Sequence, residues 1–400
     1  VGFYGATGRR RAENAGSHVP IGEKSSLAKS VCRKKPFLRF ALLKIYPEKE
    51  YPDAVEFCRR FVHDKTKPRY VLGRNEYAVS IARCVDIDGF IDDFTAEKEF
   101  LGKPILKMDE VPKNSMVVCA VIFVVPLTAM KKLEAHGLQS LDYFRFFKYS
   151  GLTLKEISFL TESKKDIENH FQKYQWVYHR LGDATSKEIL TKLLNFRASG
   201  DLQYMLGFED KQAHQYFEDF YPLGDGEVFV DAGGYDGMTS RAFIQKCPRY
   251  QSIHFFEPDS ANLEAARRNL SGFGNIYFYK MGLAQAKKTL RFSAGAGSAS
   301  KLSETGDVTI AVDALDDIIQ ERVSFIKMDI EGAEGPALTG ARRHIVNDHP
   351  KLAVCCYHRV EDLWQIPEQV MSMRDDYQLY LRHYTDGLHE TVMYFIPPKK

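Results

Sequence analysis

The chain has 400 residues, 44% hydrophobic and 27% charged, enough apolar material for two or three packed domains. A formal net charge of +2 is too weak a bias to point to nucleic acid or to an anionic membrane surface. No run of about 18 apolar residues occurs, so no membrane span is expected, and the 7 cysteines are odd in number and lack a CxxC pair, against a disulfide framework or a zinc cluster.

In chain order, residues 1–50 read as a partly disordered leader, rich in Gly, Arg, Ser and Lys and without the apolar segment of a secretory signal. Residues 51–150 read as a small α/β domain. RYVLG at 69–73, GFIDD at 89–93 and SMVVCA at 115–120 are short β-rich runs with room for helices between them, the pattern of a parallel unit. The most apolar stretch, 116–127, is broken by Pro126, which suits a buried strand running into a helix that stops at Gly137.

Residues 151–222 read as a helical connector. Thr153 and Glu156 have capping-box spacing, and Asp183 precedes a helix with Ile189, Leu190, Leu193 and Leu194 on one face. Residues 223–400 alternate again, with strands expected at 228–231, 252–257, 276–280, 308–312, 325–329, 352–356, 377–382 and 391–396. The early ones read as a parallel sheet and the last two as a hairpin-like pair, with the connector packed on this block. The Gly/Ser-rich segment 293–303 reads as a wall of a substrate pocket.

The first strand of this block ends in Asp231 and is followed by Gly233, Gly234, Tyr235, Gly237 and Thr239. Glycines there let the backbone turn and approach a ligand, and the helix that follows offers N–H groups to a carboxylate. A dinucleotide would want G-x-G-x-x-G, which is absent; S-adenosylmethionine, with its carboxylate and sulfonium, suits the loop. Glu257, followed by Pro258, ends the next strand about 26 residues on, where an acid hydrogen-bonds ribose hydroxyls in doubly wound sheets.

Lys327, Asp329 and Glu331 alternate along one later strand, which would put all three on one face. Asp329 and Glu331 can then orient an acceptor, act as a base, or hold a divalent metal through oxygen ligands; the bland alternative is an ion-paired helix start. His358 at the next strand end is the general-base candidate, and Arg382-His383-Tyr384 ends a strand that approaches the same mouth.

These residues together resemble the FkbM family of S-adenosylmethionine-dependent methyltransferases. The matching runs are FVDAGGYDGMTS (229–240), FFEPD (255–259), VDALDDI (312–318), FIKMDIEGAE (325–334), CYHRVEDLWQIP (356–367) and YLRHYTD (380–386), with SKEILTKLLNFR and QYFEDF in the helical lead-in. The likeness runs from about residue 183 to the C-terminus. It implies an α/β fold of the class I Rossmann-like methyltransferase type. It also implies O-methylation of a hydroxyl on a sugar, glycan or related natural product by a bacterial-type, cytoplasmic enzyme. On the same basis Asp231, Gly233 and Gly237 contact the methionine part of the cofactor and Glu257 its ribose.

The 51–150 block is similar to the small Rossmann-like domain ahead of some of these enzymes. Only Gly73 of the usual glycines is present, and Arg74 and Glu76 crowd the turn. This block is left as a holder of part of a nucleotide-sugar or glycan, or as a packing or homodimer unit. The rival functions are a nucleotide-sugar oxidoreductase or epimerase built on this block and a non-catalytic glycan-binding protein.

Overall fold

The computed structural model describes residues 42–292 and 308–398; the expectations for the leader up to residue 41, for Cys32 and for the 293–303 segment lie outside the described residues. Two parallel sheets organise the chain. The first part runs α1 (Pro52–His63), β1 (Arg69–Leu72), α2 (Glu76–Cys84), β2 (Gly89–Ile91), β3 (Glu99–Phe100), β4 (Lys103–Leu106), β5 (Met116–Cys119), α3 (Pro126–Ala135), β6 (Gln139–Asp142) and α4 (Tyr143–Tyr149). Its sheet has the order β3-β4-β2-β1-β5-β6, parallel except for the short β3. Counting the five parallel strands in chain order gives 3-2-1-4-5, so the order reverses between β1 and β5, the switch point of a doubly wound sheet. The expected strand-into-helix reading of 116–127 is β5, fully buried, followed by α3. The strands β3, β4 and β6 were not anticipated; Pro104 and Asp142 interrupt the apolar runs that mark strands.

The connector supplies α5 (Ser158–Arg180) and α6 (Ala184–Ser199). Asp183 caps α6 by accepting from Ser186 N at 2.7 Å, and the predicted face of Ile189, Leu190, Leu193 and Leu194 is buried. The Thr153 box is not realised: α5 starts five residues later with no side-chain cap. α6 ends at Ser199, only short 3-10 turns follow at Leu202–Met205 and Gln212–His214, and the QYFEDF run leaves helical geometry, with Tyr216 at φ +72°.

The rest runs β7 (Val228–Ala232), α7 (Met238–Lys246), β8 (Ser252–Phe256), α8 (Ser260–Asn269), β9 (Ile276–Tyr279), β10 (Gly282–Leu283), β11 (Lys288–Phe292), β12 (Val308–Asp313), α9 (Leu315–Ile318), β13 (Phe325–Met328), α10 (Glu334–Gly340), α11 (Arg342–Asn347), β14 (Lys351–Cys355), α12 (Asp362–Met373), β15 (Gln378–His383) and β16 (Thr391–Ile396). The large sheet has the order β15-β16-β14-β13-β7-β8-β9, with β16 alone antiparallel to its neighbours. The predicted terminal pair thus exists, but β16 inserts between β14 and β15. The strand expected at 308–312 is β12, and it does not join the large sheet: it pairs antiparallel with β11 and parallel with β10 in a separate three-stranded sheet. Its alternation of exposed and buried residues fits a sheet covered on one face only.

Both faces of β7, β8, β13 and β14 are covered, so these strands read as mostly apolar runs, interrupted by the buried Asp231, His254 and Lys327. On one face Phe229 stacks on Phe243 at 4.3 Å between centroids, with Phe217 and Phe325 around them. The connector closes the β15 edge through Gly182 N donating to Leu379 O at 2.7 Å and Leu381 N donating to Ser186 Oγ at 2.9 Å. The six described cysteines are all free thiols, and no helix among the described residues is long and apolar enough to cross a membrane.

Candidate active site

The central strands β7 and β13 are paired so that Asp231 lies directly beside Lys327. Neither side chain reaches solvent. Lys327 Nζ sits 3.1 Å from Asp231 Oδ1 and donates to the carbonyls of Ala232 (3.2 Å) and Gly233 (2.6 Å), while Ser240 Oγ donates to Asp231 Oδ2 at 2.7 Å. Burial works against the Lys327 ammonium, but Asp231 and Asp329 outweigh it and raise its pKa. Lys327, expected among the reacting groups, is therefore a clamp on the loop after β7. Asp231 is fully buried and bonded to that clamp and to Ser240.

That loop runs through Gly233, Gly234, Tyr235 and Gly237 into α7. Gly233 has φ +73°, and a Cβ there would lie 1.8 Å from the carbonyl oxygen of Asp329. The glycine is demanded by the neighbouring loop after β13, a packing reason that the sequence could not separate from ligand approach. Tyr235 is exposed at φ +51°, and its N–H donates to Glu257 Oε2 at 3.0 Å. Glu257 Oε1 accepts from Asp259 N at 2.8 Å, so both oxygens are held at the end of β8 with lone pairs remaining; burial raises its pKa. Thr239 is half-buried in the first turn of α7, and Pro258 is half-buried beside Glu257.

β13 stops at Met328, so Glu331 is not delivered by strand alternation. It sits in a tight turn, Ala333 N donating to Ile330 O at 3.2 Å, with both central residues left-handed: Glu331 at φ +56° and Gly332 at φ +88°. Glu334 Oε1 accepts from Ile330 N at 3.0 Å and pins the turn. The same oxygen lies 2.9 Å from His358 Nδ1, and His358 Nε2 lies 3.4 Å from Asp329 and 3.7 Å from Glu331. Asp329, Glu331 and His358, all singled out in the sequence, thus converge. One ligand atom from each falls within 4.8 Å of the others, a spacing that a single cation could bridge.

Four further residues complete the cluster. Tyr216 OH donates to Asp329 Oδ2 at 2.8 Å and Tyr357 OH to Asp329 Oδ1 at 3.2 Å. Gln215 Nε2 donates to Tyr216 OH at 3.0 Å and to Glu390 Oε2 at 2.8 Å. No sequence signal marks them; two of the four, Tyr216 and Glu390, have positive φ without being glycine, as Tyr235 and Glu331 do, and that strain is invisible in sequence. Such residues gather where surrounding structure over-determines them, commonly at functional sites.

The electrostatics separate the groups. Burial opposes the His358 cation, yet Glu334, Asp329 and Glu331 together push its pKa up to about 10. Burial pushes Glu331 up to about 7, with His358 pulling the other way. Glu390 is likewise pushed up to about 7, by burial and then by Asp329. Asp329 stays below the usual carboxylate value because Lys327 and His358 outweigh its burial. The predicted contributions of 382–384 do not arise: Arg382 pairs with Asp183 at 2.7 Å, Tyr384 OH donates to Glu218, and the buried His383 bonds Thr391 Oγ1 at 2.8 Å.

Residues 231–386 match the model of the methyltransferase FkbM domain. No match to the chain is found among curated proteins. Of solved structures, the methyltransferase FkbM from Methylobacillus flagellatus KT is similar with a TM-score of 0.66 and 25% identity, over 86% of this chain and 93% of that one. Residues 223–400 are less than half of the chain, so that likeness takes in the first sheet as well. An rRNA methylase from Streptococcus thermophilus is similar with a TM-score of 0.30 and 14% identity, over 43% of this chain and 87% of that one. Fibrillarin from Aeropyrum pernix with bound S-adenosyl-L-methionine has a TM-score of 0.31 and 11% identity, over 44% and 69%.

Proposed function

The chain carries an FkbM methyltransferase domain and is a methyltransferase, and from that premise we propose that it moves the methyl group of S-adenosylmethionine to a hydroxyl of a sugar, glycan or related natural product. One observation carries the reading: the loop after β7 is pressed onto Asp329, so a ligand on that loop adjoins the cluster of Asp329, Glu331 and His358.

The residues present fit the cofactor. Glu257, fixed by two N–H donors, has lone pairs left for a ribose diol at the end of β8. The first-turn N–H groups of Thr239 and Ser240 have no acceptor within the helix and can receive a carboxylate. Bound there, the cofactor supplies a methyl group activated by its sulfonium. The chain's own residues then orient the acceptor and take its proton. In our reading Asp329, braced by Tyr216 and Tyr357, accepts the hydroxyl hydrogen bond and fixes the oxygen's direction. His358 enters as a cation and not as the base its residue type suggested, because three carboxylates hold its proton. The hydroxyl's single proton leaves along its bond to Asp329 as the methyl transfers and comes to rest on Glu331, whose pKa near 7 suits a final proton acceptor at neutral pH. A cytoplasmic setting accords with the free thiols of all six described cysteines.

The direct test is calorimetry with S-adenosylhomocysteine. One site per chain is expected; no heat at millimolar ligand would contradict the cofactor assignment. The proton route makes its own prediction. A base must be ionised, so kcat rises with pH through about 7 and levels above it, then falls as His358 loses its proton near 10. Glu331→Gln is expected to lower kcat by about 10²- to 10⁴-fold. Glu390 titrates in the same range, so Glu390→Gln should move the acid limb without abolishing turnover. An acid limb and rate unchanged in Glu331→Gln would remove Glu331 from the mechanism.

The spacing of Asp329, Glu331 and His358 Nε2 favours a second reading of the same reaction, in which a divalent cation held by them sharpens the hydroxyl. Turnover that survives a chelator unchanged removes it.

A further inference from the structure

In an open α/β sheet a ligand sits at the carboxyl ends of the strands where the strand order reverses. In the first sheet that crevice lies between β1 and β5, and the polar groups at its mouth are bonded within the chain. The β1 and β5 ends are tied to each other by Asn75 Nδ2 donating to Ala120 O at 2.7 Å, and Arg74 is spent on Asp92 and Glu97. The loop between β15 and β16 of the methyltransferase sheet packs on the residues that follow β5, from Phe123 to Thr128.

The contact is specific. α3 begins without a cap of its own, Val125 contributing no side-chain hydrogen bond. Asp386, 258 residues away from Thr128, takes the place of the cap. Its Oδ1 accepts from Leu127 N at 3.0 Å, and its Oδ2 accepts from Thr128 N at 3.0 Å and Thr128 Oγ1 at 2.6 Å. Asp386 is only 1% exposed, so these bonds and the helix dipole are what balance its charge. The next residue must be glycine, since a Cβ on Gly387 would lie 2.3 Å from Phe123 O. That same oxygen accepts from Leu388 N at 2.7 Å and His389 N at 3.0 Å.

The far end of the loop is in the reaction site. The His389 ring lies between Phe123, 4.9 Å away and stacked, and Tyr357, 5.2 Å away. Tyr357 donates to Asp329, and Glu390 is bonded through Gln215 to Tyr216, the other donor to Asp329. Both hydroxyls that aim Asp329 are therefore backed by a loop whose anchor is on the other sheet.

We infer that Asp386 is a positioning residue of the acceptor site: by capping α3 it fixes the loop that backs Tyr357 and Glu390 around Asp329, and the first sheet serves as the scaffold for that loop in place of a nucleotide site. This rests on the proposed function only for the word acceptor; the loop's anchoring is tested without turnover. Asp386→Ala and Thr128→Val are compared with the wild-type full chain by hydrogen exchange and by calorimetry with S-adenosylhomocysteine. In Asp386→Ala, the amides of Val125, Leu127, Thr128 and residues 386–390 should exchange at least about tenfold faster, with those of β7 and β8 unchanged and ligand affinity within about twofold. Thr128→Val, which removes one of the three bonds, should give a smaller change at the same amides. With any glycoside the wild type methylates, kcat should fall while KM for S-adenosylmethionine holds. Unchanged exchange at 386–390 overturns the inference. So does a loss of ligand affinity in step with faster exchange throughout the chain, which would mark Asp386 as merely structural. Loss of turnover in the wild type with these exchange results intact would fault the proposed reaction and leave the anchor standing.

Discussion

Asp329→Asn is expected to lower kcat by about 10³-fold while S-adenosylhomocysteine affinity stays within about twofold. The side chain is the point where the cluster's bonds meet: Tyr216 on one oxygen, Tyr357 on the other, and His358 Nε2 at 3.4 Å. An amide of the same shape keeps one acceptor oxygen but turns a donor toward Tyr357 or the His358 cation, so the group that orients the hydroxyl is lost and reversed. The main chain is spared, because Asp329 N still donates to Ala232 O at 3.1 Å and its carbonyl still meets Gly233. Tyr216→Phe removes one of the two braces and should cost about tenfold, the value of one hydrogen bond to a charged group. A fall in cofactor affinity that matches the fall in kcat would mean that Asp329 belongs to the cofactor site instead.

The second large effect is on Asp231. Asp231→Ala leaves Lys327 buried with only carbonyl partners, and removing one partner of a buried ion pair costs about 3–5 kcal/mol. Against a total stability of about 5–15 kcal/mol that is a large share, and a drop in Tm of roughly 10 °C is expected. Cofactor binding should be lost too, because Lys327 is what fixes the carbonyls of Ala232 and Gly233. The double variant Asp231→Leu, Lys327→Met separates the two effects. Two well-packed apolar residues can restore stability, but they cannot restore the clamp on the loop, so Tm should recover and binding should not. Binding retained in Asp231→Ala, at whatever Tm, would show that the loop keeps its shape without the pair.

Much of the methyltransferase sheet was legible because its central strands are covered on both faces and so read as apolar runs with an acid at the end. Asp231, Glu257 and Asp329 were singled out for that reason, and His358 as a histidine at the next strand end. What misled was inference from period alone. Alternation placed Lys327 with Glu331, but Lys327 turns inward to Asp231, and Glu331 arrives through a left-handed turn that no alternation describes. The same limit hid Tyr216, which sits in a run that reads as helix and is not one, and Glu390, whose partner Gln215 is 175 residues away. The Asp386 cap was also out of reach: local pattern predicts a cap just before its helix, not from another sheet. β12 was assigned to the wrong sheet because a strand's neighbours are set by topology, on which its own composition is silent.

The most direct measurement is transfer of tritiated methyl from S-adenosylmethionine to a panel of glycosides and polyols, with the atom that carries the label identified. Label is expected on oxygen, with one S-adenosylhomocysteine released per methyl transferred and both lost in Asp329→Asn. Label on nitrogen or carbon, or transfer that persists at the wild-type rate in Asp329→Asn, would contradict the proposed reaction.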